Sequence, residues 1–376
     1  MRDLKRLSRY GVILAGGLGE RFWPLSRVNR PKQLLCLTHP SKSMLTEAVE
    51  RLAPIIPPDR MMVVTGRHLV DAVREASTGV SDDHVIGEPC KRNTAGALAY
   101  TTARLLAAHP RTRIDSLTLA VLTADHFIAD TTMFRSAIET ALHAAEEHQA
   151  LVVCGIHPSR PETGFGYLEI PDNATPVTGA GSSAPVYPVA AFREKPTLET
   201  ARDYLATRRH FWNSGMFFWR VSTFMSELEA AQPRIAASVY AMSDAIKKGD
   251  EIAATRLFES LPDISIDYAL MERARNVLMV KGSFDWQYVG SWSAVEQALP
   301  RDSNGNCLLG GPVVEETSDC LIYNGPGSER IAVGVLGAKG LAIIVTEDGI
   351  LVMPKDRAQD VRAIVARLRE RNAPQL

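Results

Sequence analysis

The sequence predicts an α/β layered fold built on a mostly parallel sheet, followed by a small all-β unit. Two observations predict the first part. Short apolar runs occur at 11–14, 61–64, 117–122 and 151–153, and helix-like stretches lie between or after them at 43–52, 68–76, 94–107 and 132–148. Such runs read as buried strands, and strands alternating with helices form a parallel sheet with helices on its faces. A third observation predicts the second part. Beyond 300–311, which carries the breakers Asn304-Gly305-Asn306 and Gly310-Gly311, β-like runs follow closely at 313–314, 320–323, 331–335, 341–345 and 350–352. A helix over 358–371 caps them. The expected division is therefore 1–300 for a large first domain and 301–376 for a small β-rich one.

Between these landmarks, residues 172–186 are rich in Pro, Gly, Ser, Thr and Ala and read as an exposed loop. A strand over 186–192 and a helical region over 222–261 follow. In sheets of this kind ligands sit beyond the carboxyl ends of the strands, so the loops after strands are where chemistry is expected.

With 376 residues, 45% of them hydrophobic and 23% charged, the chain has the composition of a globular protein. Its net charge of -1 argues against a nucleic-acid coat or a polybasic membrane binder. The five cysteines, Cys36, Cys90, Cys154, Cys307 and Cys320, include no C-x-x-C pair, so reduced thiols are expected rather than disulfides or zinc. Arg2, Lys5, Arg6 and Arg9 resemble the basic start of a signal peptide, but the apolar run 12–15 stops at Gly16-Gly17 and is too short for one. With no stretch long enough to span a membrane, a cytoplasmic location is expected.

The first strand runs into Leu14-Ala15-Gly16-Gly17-Leu18-Gly19-Glu20-Arg21. Glycines there let backbone N–H groups approach an anion closely. The loop lacks the Gly-Lys-Ser/Thr ending of a Walker A motif, and Phe22 stands where a dinucleotide fingerprint needs its third glycine. A tight strand-to-helix turn would explain the glycines alone. It explains less well the flanking Arg21 and the Lys32 of Arg30-Pro31-Lys32-Gln33, which suit phosphate oxygens.

The run Ile13-Leu14-Ala15-Gly16-Gly17-x-Gly19-x-Arg21-x-Trp23-Pro24-Leu25-Ser26-Arg27, with Pro31-Lys32-Gln33, resembles the signature of mannose-1-phosphate guanylyltransferases. The likeness continues through Glu88-Pro89-x-x-Arg92-Asn93-Thr94-Ala95, Ala124-Asp125-His126 and Thr163-Gly164-Phe165-Gly166-Tyr167. Phe192-x-Glu194-Lys195-Pro196, Trp212-Asn213-Ser214-Gly215-Met216, Ser265-Ile266-Asp267-Tyr268-Ala269 and Val289-Gly290-Ser291-Trp292 complete it in family order. The resemblance implies a Rossmann-like mixed sheet of the nucleotide-diphospho-sugar transferase type. It also implies a short β-helix or β-roll for 307–355, a kind of unit that often mediates homodimers; a packing lid is the alternative.

The implied reaction is GTP plus mannose 1-phosphate to GDP-mannose plus pyrophosphate, with Mg²⁺ or another divalent cation. The resemblance assigns the nucleotide to Leu14, Gly16, Gly17, Gly19, Glu88, Asn93 and Thr94. A carboxylate can accept from guanine N1 and N2 together, so Glu88 favours guanine; the plainer alternative is that Asn93 or Thr94 caps the following helix. Arg21, Lys32 and Asp125 are the expected catalytic residues. Asp125 is the implied Mg²⁺ ligand, since a hard cation takes one or two carboxylates plus phosphate oxygens. Gly166, Glu194, Lys195, Asn213 and Asp267 are assigned to the sugar phosphate, with Tyr167 able to pack on the sugar face. On sequence alone, Glu194-Lys195 reads as a solvated ion pair and Asp267 equally as a buried structural carboxylate.

One departure stands out. The family pattern has an Asp, a second metal ligand, two residues before the glycine of Val289-Gly290-Ser291-Trp292, and here that place holds Tyr288. A phenol is a poor Mg²⁺ ligand. The metal is then held by Asp125 and phosphates alone, or Asp285 or Asp267 is swung in, or catalysis is weakened. Because the sugar phosphate is already ionised at pH 7, its second pKa being about 6, attack on the α-phosphorus needs no general base. It needs charge neutralisation and alignment of two repelling anions. The alternatives are another nucleotide and sugar-phosphate pair, and a non-catalytic GDP-mannose-sensing paralogue. Ending at Leu376, the chain has no room for an appended isomerase domain and is expected to be monofunctional.

Overall fold

The computed structural model describes residues 7–39, 41–76, 78–177 and 183–376. Arg2, Lys5 and Arg6, and residues 178–182 of the expected loop, lie outside the described residues. The strands are β1 (Ser8–Leu14), β2 (Met61–Gly66), β3 (Val85–Glu88), β4 (Leu117–Thr123), β5 (His126–Ile128), β6 (Leu151–Ile156), β7 (Gly166–Glu169), β8 (Val186–Pro188) and β9 (Ala191–Glu194). They continue with β10 (His210–Arg220), β11 (Val277–Gly282), β12 (Trp286–Tyr288), β13 (Cys307–Leu309), β14 (Val313–Glu315), β15 (Leu321–Asn324), β16 (Gly334–Leu336), β17 (Leu341–Val345) and β18 (Ile350–Pro354). The α-helices are α1 (Met44–Leu52), α2 (Val70–Glu75), α3 (Asn93–Ala108), α4 (Thr131–His148), α5 (Leu198–Thr207), α6 (Val221–Ala231), α7 (Pro233–Lys247), α8 (Glu251–Glu259), α9 (Trp292–Ala298) and α10 (Val361–Glu370).

The central sheet runs β3-β2-β1-β4-β10-β6-β11-β8, with β7 and β9 attached beside β10. Strands β3, β2, β1 and β4 are mutually parallel, as are β6 and β11. The long β10 runs antiparallel to β4 and β6 between these two sets. Alternation along each strand sends neighbouring residues to opposite faces. Thus Val12 enters the core under α3, α6 and α7, whereas Ile13 enters the one under α1 and α4. The sequence pattern does not announce strand β10. His210, Asn213 and Ser214 interrupt its apolar run, yet His210 pairs with Glu169 of β7, Asn213 pairs with Gly155 of β6, and Ser214 falls in the register shift that follows.

Local chemistry sets several boundaries. Ser43 caps α1 by accepting from the Thr46 N–H at 3.1 Å, and Asp130 caps α4 by accepting from Thr132 and Met133. The expected strand 186–192 is two strands, β8 and β9, that pair with different neighbours. The expected run 331–335 forms a strand only over β16. The terminal helix begins as a tighter 3₁₀ segment, Lys355–Asp360, before α10.

In the C-terminal unit β13, β15 and β17 are parallel neighbours, β18 returns antiparallel to β17, and β14 pairs β16 in parallel. Parallel strands stacked in successive coils are a β-helix-like arrangement. The unit does not stand apart. Phe22, Trp23, Leu35 and Trp292 form one buried core with Leu321, Tyr323, Ile344, Val361 and Val365. The glycine loop therefore leads straight into an apolar seam closed by the C-terminal unit. Among the described residues no helix is long and apolar enough to cross a membrane.

Candidate active site

A cleft of about 850 Å³ opens at the carboxyl ends of the parallel strands. At one end it is lined by Leu14, Arg21, Thr94 and Asp125, and at the other by Gly166, Glu194, Lys195, Asn213 and Asp267. Nine of the residues expected from sequence thus share one cavity wall. Lys32, Glu88, Asn93 and the three loop glycines stand outside that lining.

Lys32 lies beneath the first end and is only 7% exposed. Its ammonium sits 2.6 Å from Asp125 Oδ2, donates to the Tyr288 hydroxyl at 3.3 Å, and lies 4.7 Å from the Tyr288 ring centroid. Burial alone would lower the Lys32 pKa, but the charge of Asp125, with Tyr288 behind it, raises it above the ordinary lysine value. Burial likewise opposes ionisation of Asp125, and Lys32 reverses this and holds the carboxyl below its usual range. The turn carrying Asp125 is fixed by the short antiparallel pair β5 and β12 and by the Val289 N–H, which donates to the Asp125 carbonyl at 2.9 Å. His126 beside it is buried, which pushes its pKa down to about 4 and leaves it neutral.

The glycine loop wraps this pair. Gly19 has φ 68°, and a Cβ there would lie 2.6 Å from Lys32 Cβ, so both backbone conformation and space exclude a side chain. Gln33 donates from its amide to the Ala15 carbonyl at 2.5 Å and ties the lysine segment to the loop. Arg21 donates to the Gly290 carbonyl at 3.0 Å. Glu88, at the end of β3, stands close to the loop: a Cβ on Gly16 would be 3.6 Å from its Oε2. Burial raises the Glu88 pKa to about 7. Thr94 caps no helix with its side chain; its hydroxyl accepts the Ile266 N–H at 2.8 Å and ties α3 to the Asp267 segment. Asn93 is exposed at φ 57°, and its side-chain oxygen bonds the Thr94 N–H at 2.9 Å.

At the other end, a register shift in β10 between Asn213 and Phe217 bends the strand beside the cleft. Asn213 donates to Asp267 Oδ1 at 2.9 Å and accepts from the Gly215 N–H at 2.9 Å. Lys195 has φ 48°, a sparsely populated conformation for a residue with a side chain. The Phe165 carbonyl holds that conformation through the Lys195 N–H, and the ammonium lies 2.5 Å from Glu194 Oε1. The second oxygen, Glu194 Oε2, is buried without a partner among the described residues. Burial, then the facing Asp267, raise the Glu194 pKa, and burial raises that of Asp267. Gly166 approaches this carboxylate so closely that a Cβ would collide with it.

Two expectations need correction. Tyr167 is fully buried, packs on Tyr204 at 5.2 Å and donates to the Glu162 carbonyl, so it offers no face to a sugar. Asp285 is exposed and outside the cleft lining, which excludes it as the substitute for the residue at Tyr288. Among the described residues no cluster of three His, Cys, Asp or Glu side chains is placed to hold a metal. The donor set fits a cation shared between Asp125 and phosphate oxygens, because Mg²⁺ keeps few protein ligands. It does not fit one enclosed by protein. Sequence reasoning missed Asp356 and Gln359, which line the same cleft from the C-terminal unit. No local pattern marks them, because only the tertiary closure of that unit brings them there.

The chain matches the nucleotidyl transferase family over residues 10–304 and the MannoseP isomerase/GMP-like beta-helix domain over residues 310–368. It is 37% identical to a mannose-1-phosphate guanylyltransferase of Klebsiella pneumoniae, over 96% of this chain and 74% of that protein. One from Escherichia coli is also 37% identical over the same shares, 96% and 74%. A crystal structure described as mannose-1-phosphate geranyltransferase from Thermus thermophilus superposes with a TM-score of 0.82 at 34% identity, covering 96% of this chain and 100% of that one. This chain is an enzyme of nucleotidyl transfer and belongs to the nucleotidyl transferase family, among the mannose-1-phosphate guanylyltransferases.

Proposed function

We propose that the enzyme joins GTP to mannose 1-phosphate, forming GDP-mannose and pyrophosphate, through residues of both ends of the one cleft. The observation that carries this reading is convergence: Arg21 and Lys195, separated by most of the first 300 residues, line the same cavity, with Lys32 touching its Asp125 wall. Two reactants that repel each other require fixed positive groups on both sides of the reacting phosphorus.

The proposed step is in-line. A phosphate oxygen of mannose 1-phosphate forms a bond to the α-phosphorus of GTP, and the bond from that phosphorus to the bridging oxygen of the β-phosphate breaks. Pyrophosphate leaves with the electron pair. In this reading the loop of Gly16, Gly17 and Gly19, with Leu14, Asn93 and Thr94, seats the nucleotide, and Glu88 accepts from guanine N1 and N2. Arg21 and Lys32 neutralise the triphosphate. Lys195 holds the sugar phosphate, while Glu194, Asn213, Asp267 and the Gly166 backbone meet the sugar hydroxyls. A divalent cation held by Asp125 would withdraw charge from the phosphates.

The same reading treats 1–300 as the catalytic part and 301–376 as the second unit, with a cytoplasmic location and no nucleic-acid or membrane partner. A homodimer through the C-terminal unit is part of it. Pyrophosphate release with four nucleotides and several sugar phosphates, with and without Mg²⁺, tests the assignment. Release that is fastest with GTP and mannose 1-phosphate, and lost without the cation, is expected. A higher kcat/KM for another pair would overturn the substrate assignment.

A further inference from the structure

The C-terminal unit reaches the active cleft. Asp356 and Gln359 line it alongside Arg21, from the segment that leads into α10. Helix α10 then packs against the Glu20–Phe22 turn of the glycine loop. Arg369 forms a 2.8 Å ion pair with Glu20, and Trp23 donates from its indole to the Gln375 carbonyl at 3.0 Å. Residues seven apart share a helix face, so the face that presents Arg369 to Glu20 presents Arg362 nearer the cleft. Gln359 precedes Arg362 by about one further turn.

Arg362 is exposed and has no hydrogen-bond or ion-pair partner among the described residues. Arg21, on the turn that α10 packs against, keeps a buried Nε with no partner among the described residues. Burial and then the charge of Arg362 hold the Arg21 pKa below the ordinary arginine value. Two guanidinium groups near enough for one charge to act on the other repel, and an anion between them turns that repulsion into charge-assisted contacts. Among the described residues Asp356 is the one carboxylate that the C-terminal unit contributes to the cleft lining, Glu20 is already paired with Arg369, and neither Arg21 nor Arg362 has an ion-pair partner.

We propose that Arg362, with Gln359 before it, forms the outer wall of the triphosphate site, and that the β- and γ-phosphates, departing as pyrophosphate, are held between Arg362 and Arg21. This deepens the reading of Arg21 given above and makes the C-terminal unit a contributor to the chemistry as well as a support for the loop. Arg362 is then a binding residue for the leaving group.

Calorimetric titration of the full chain with magnesium pyrophosphate tests this, with no guanine or mannose in the experiment. Arg362→Gln is expected to weaken pyrophosphate binding roughly tenfold, the effect of one charged hydrogen-bonding group. Arg362→Lys, which keeps the charge but not the planar fork, falls between the two. Arg367→Gln removes the same charge from another face of α10 and is expected to bind as the parent does. Mannose 1-phosphate binding is unchanged in Arg362→Gln. Parent-like pyrophosphate affinity in Arg362→Gln, equal weakening in Arg367→Gln, or no binding by the parent would each overturn the proposal. Pyrophosphorolysis of GDP-mannose is measured separately. Its absence, with pyrophosphate binding intact, would sink the substrate assignment and leave this site standing.

Discussion

The two ends of the cleft handle positive charge in opposite ways. Lys32 is buried, locked onto Asp125 at 2.6 Å and roofed by Tyr288. Lys195 has a side chain 54% exposed, and its ion-pair partner is its own neighbour in sequence, Glu194. The first end is prebuilt: its ion pair is held between the glycine loop, the β5–β12 pair and the seam with the C-terminal unit. The second end is adaptable, with a lysine on strained backbone beside two acids whose pKa values are raised. A triphosphate always presents the same chain of charges and suits a fixed seat. A sugar must be sorted by its hydroxyls, which suits acids that change partner when it arrives.

This contrast is broken most severely at Lys32. On the proposed reading Lys32→Ala removes a charge from the reacting phosphates, with an expected loss of turnover of about a thousandfold or more. It also strands Asp125 as a part-buried carboxylate, and breaking such a pair typically costs about 3–5 kcal/mol. A fall in melting temperature is therefore expected together with the loss of rate. In Lys32→Met with Asp125→Asn, the melting temperature is expected to recover and the activity is not. Thermal melting and steady-state rates on both variants check this, and full activity in Lys32→Ala would remove the lysine from the mechanism.

Lys195→Ala is the corresponding cut at the other end. Because that side chain is exposed, its removal is expected to leave stability within about 0.5 kcal/mol of the parent. The KM for mannose 1-phosphate should rise by roughly ten- to a hundredfold, as for a lost charged hydrogen bond. The KM for GTP should stay near the parent value. A melting temperature that falls as far as in Lys32→Ala would erase the distinction between the two ends.

How much of this was legible in the sequence follows the same division. Strands β1, β2, β4 and β6 and helices α1, α3 and α4 announce themselves, the strands and α3 as apolar-rich runs and α1 and α4 as amphipathic stretches with a side-chain cap. Strand β10 does not, because polar Asn213 and Ser214 interrupt its apolar run, and its ladder is supplied by β4, β6 and β7. In the site, the motifs singled out Arg21, Asp125 and Lys195, which all line one cavity. They could not say that Lys32 commits its charge to Asp125, that Tyr167 faces inward, or that Asp356 and Gln359 arrive from beyond residue 350. Those are tertiary arrangements of segments separated along the chain, by 93 positions for Lys32 and Asp125 and by more than 300 for Arg21 and Gln359, and no local pattern encodes them.

Base recognition supplies a smaller and more graded test. With the Glu88 pKa at about 7, the carboxylate that would accept from guanine N1 and N2 is mostly protonated at pH 6 and mostly ionised at pH 8. Affinity for a guanine nucleotide should therefore rise with pH across this window. It should be roughly tenfold weaker at pH 6 than at pH 8, since apparent affinity scales with the competent fraction. GDP-mannose is the better probe, because its phosphates, unlike a monoester's, do not titrate near neutrality. The KM for GDP-mannose in pyrophosphorolysis should show the dependence in the parent and lose it in Glu88→Gln. A flat profile in the parent would take Glu88 off the base.

The least disruptive test separates the two contacts that Tyr288 makes with Lys32. Its hydroxyl accepts from the ammonium at 3.3 Å, a long bond, while its ring stands 4.7 Å from the same nitrogen and packs edge-on near Phe165 and His126. Tyr288→Phe keeps the ring and deletes only the oxygen. With Asp125 holding the ammonium at 2.6 Å, the hydroxyl adds little electrostatically. The expected change is below about 1 kcal/mol in stability, the ordinary net value of a neutral hydrogen bond. Turnover should shift only a few fold, with no change in the Mg²⁺ concentration needed for half-maximal rate. Were Tyr288→Phe instead to demand much more Mg²⁺, the phenol oxygen would belong to the metal's shell, and the assignment of the cation to Asp125 and substrate phosphates alone would fail.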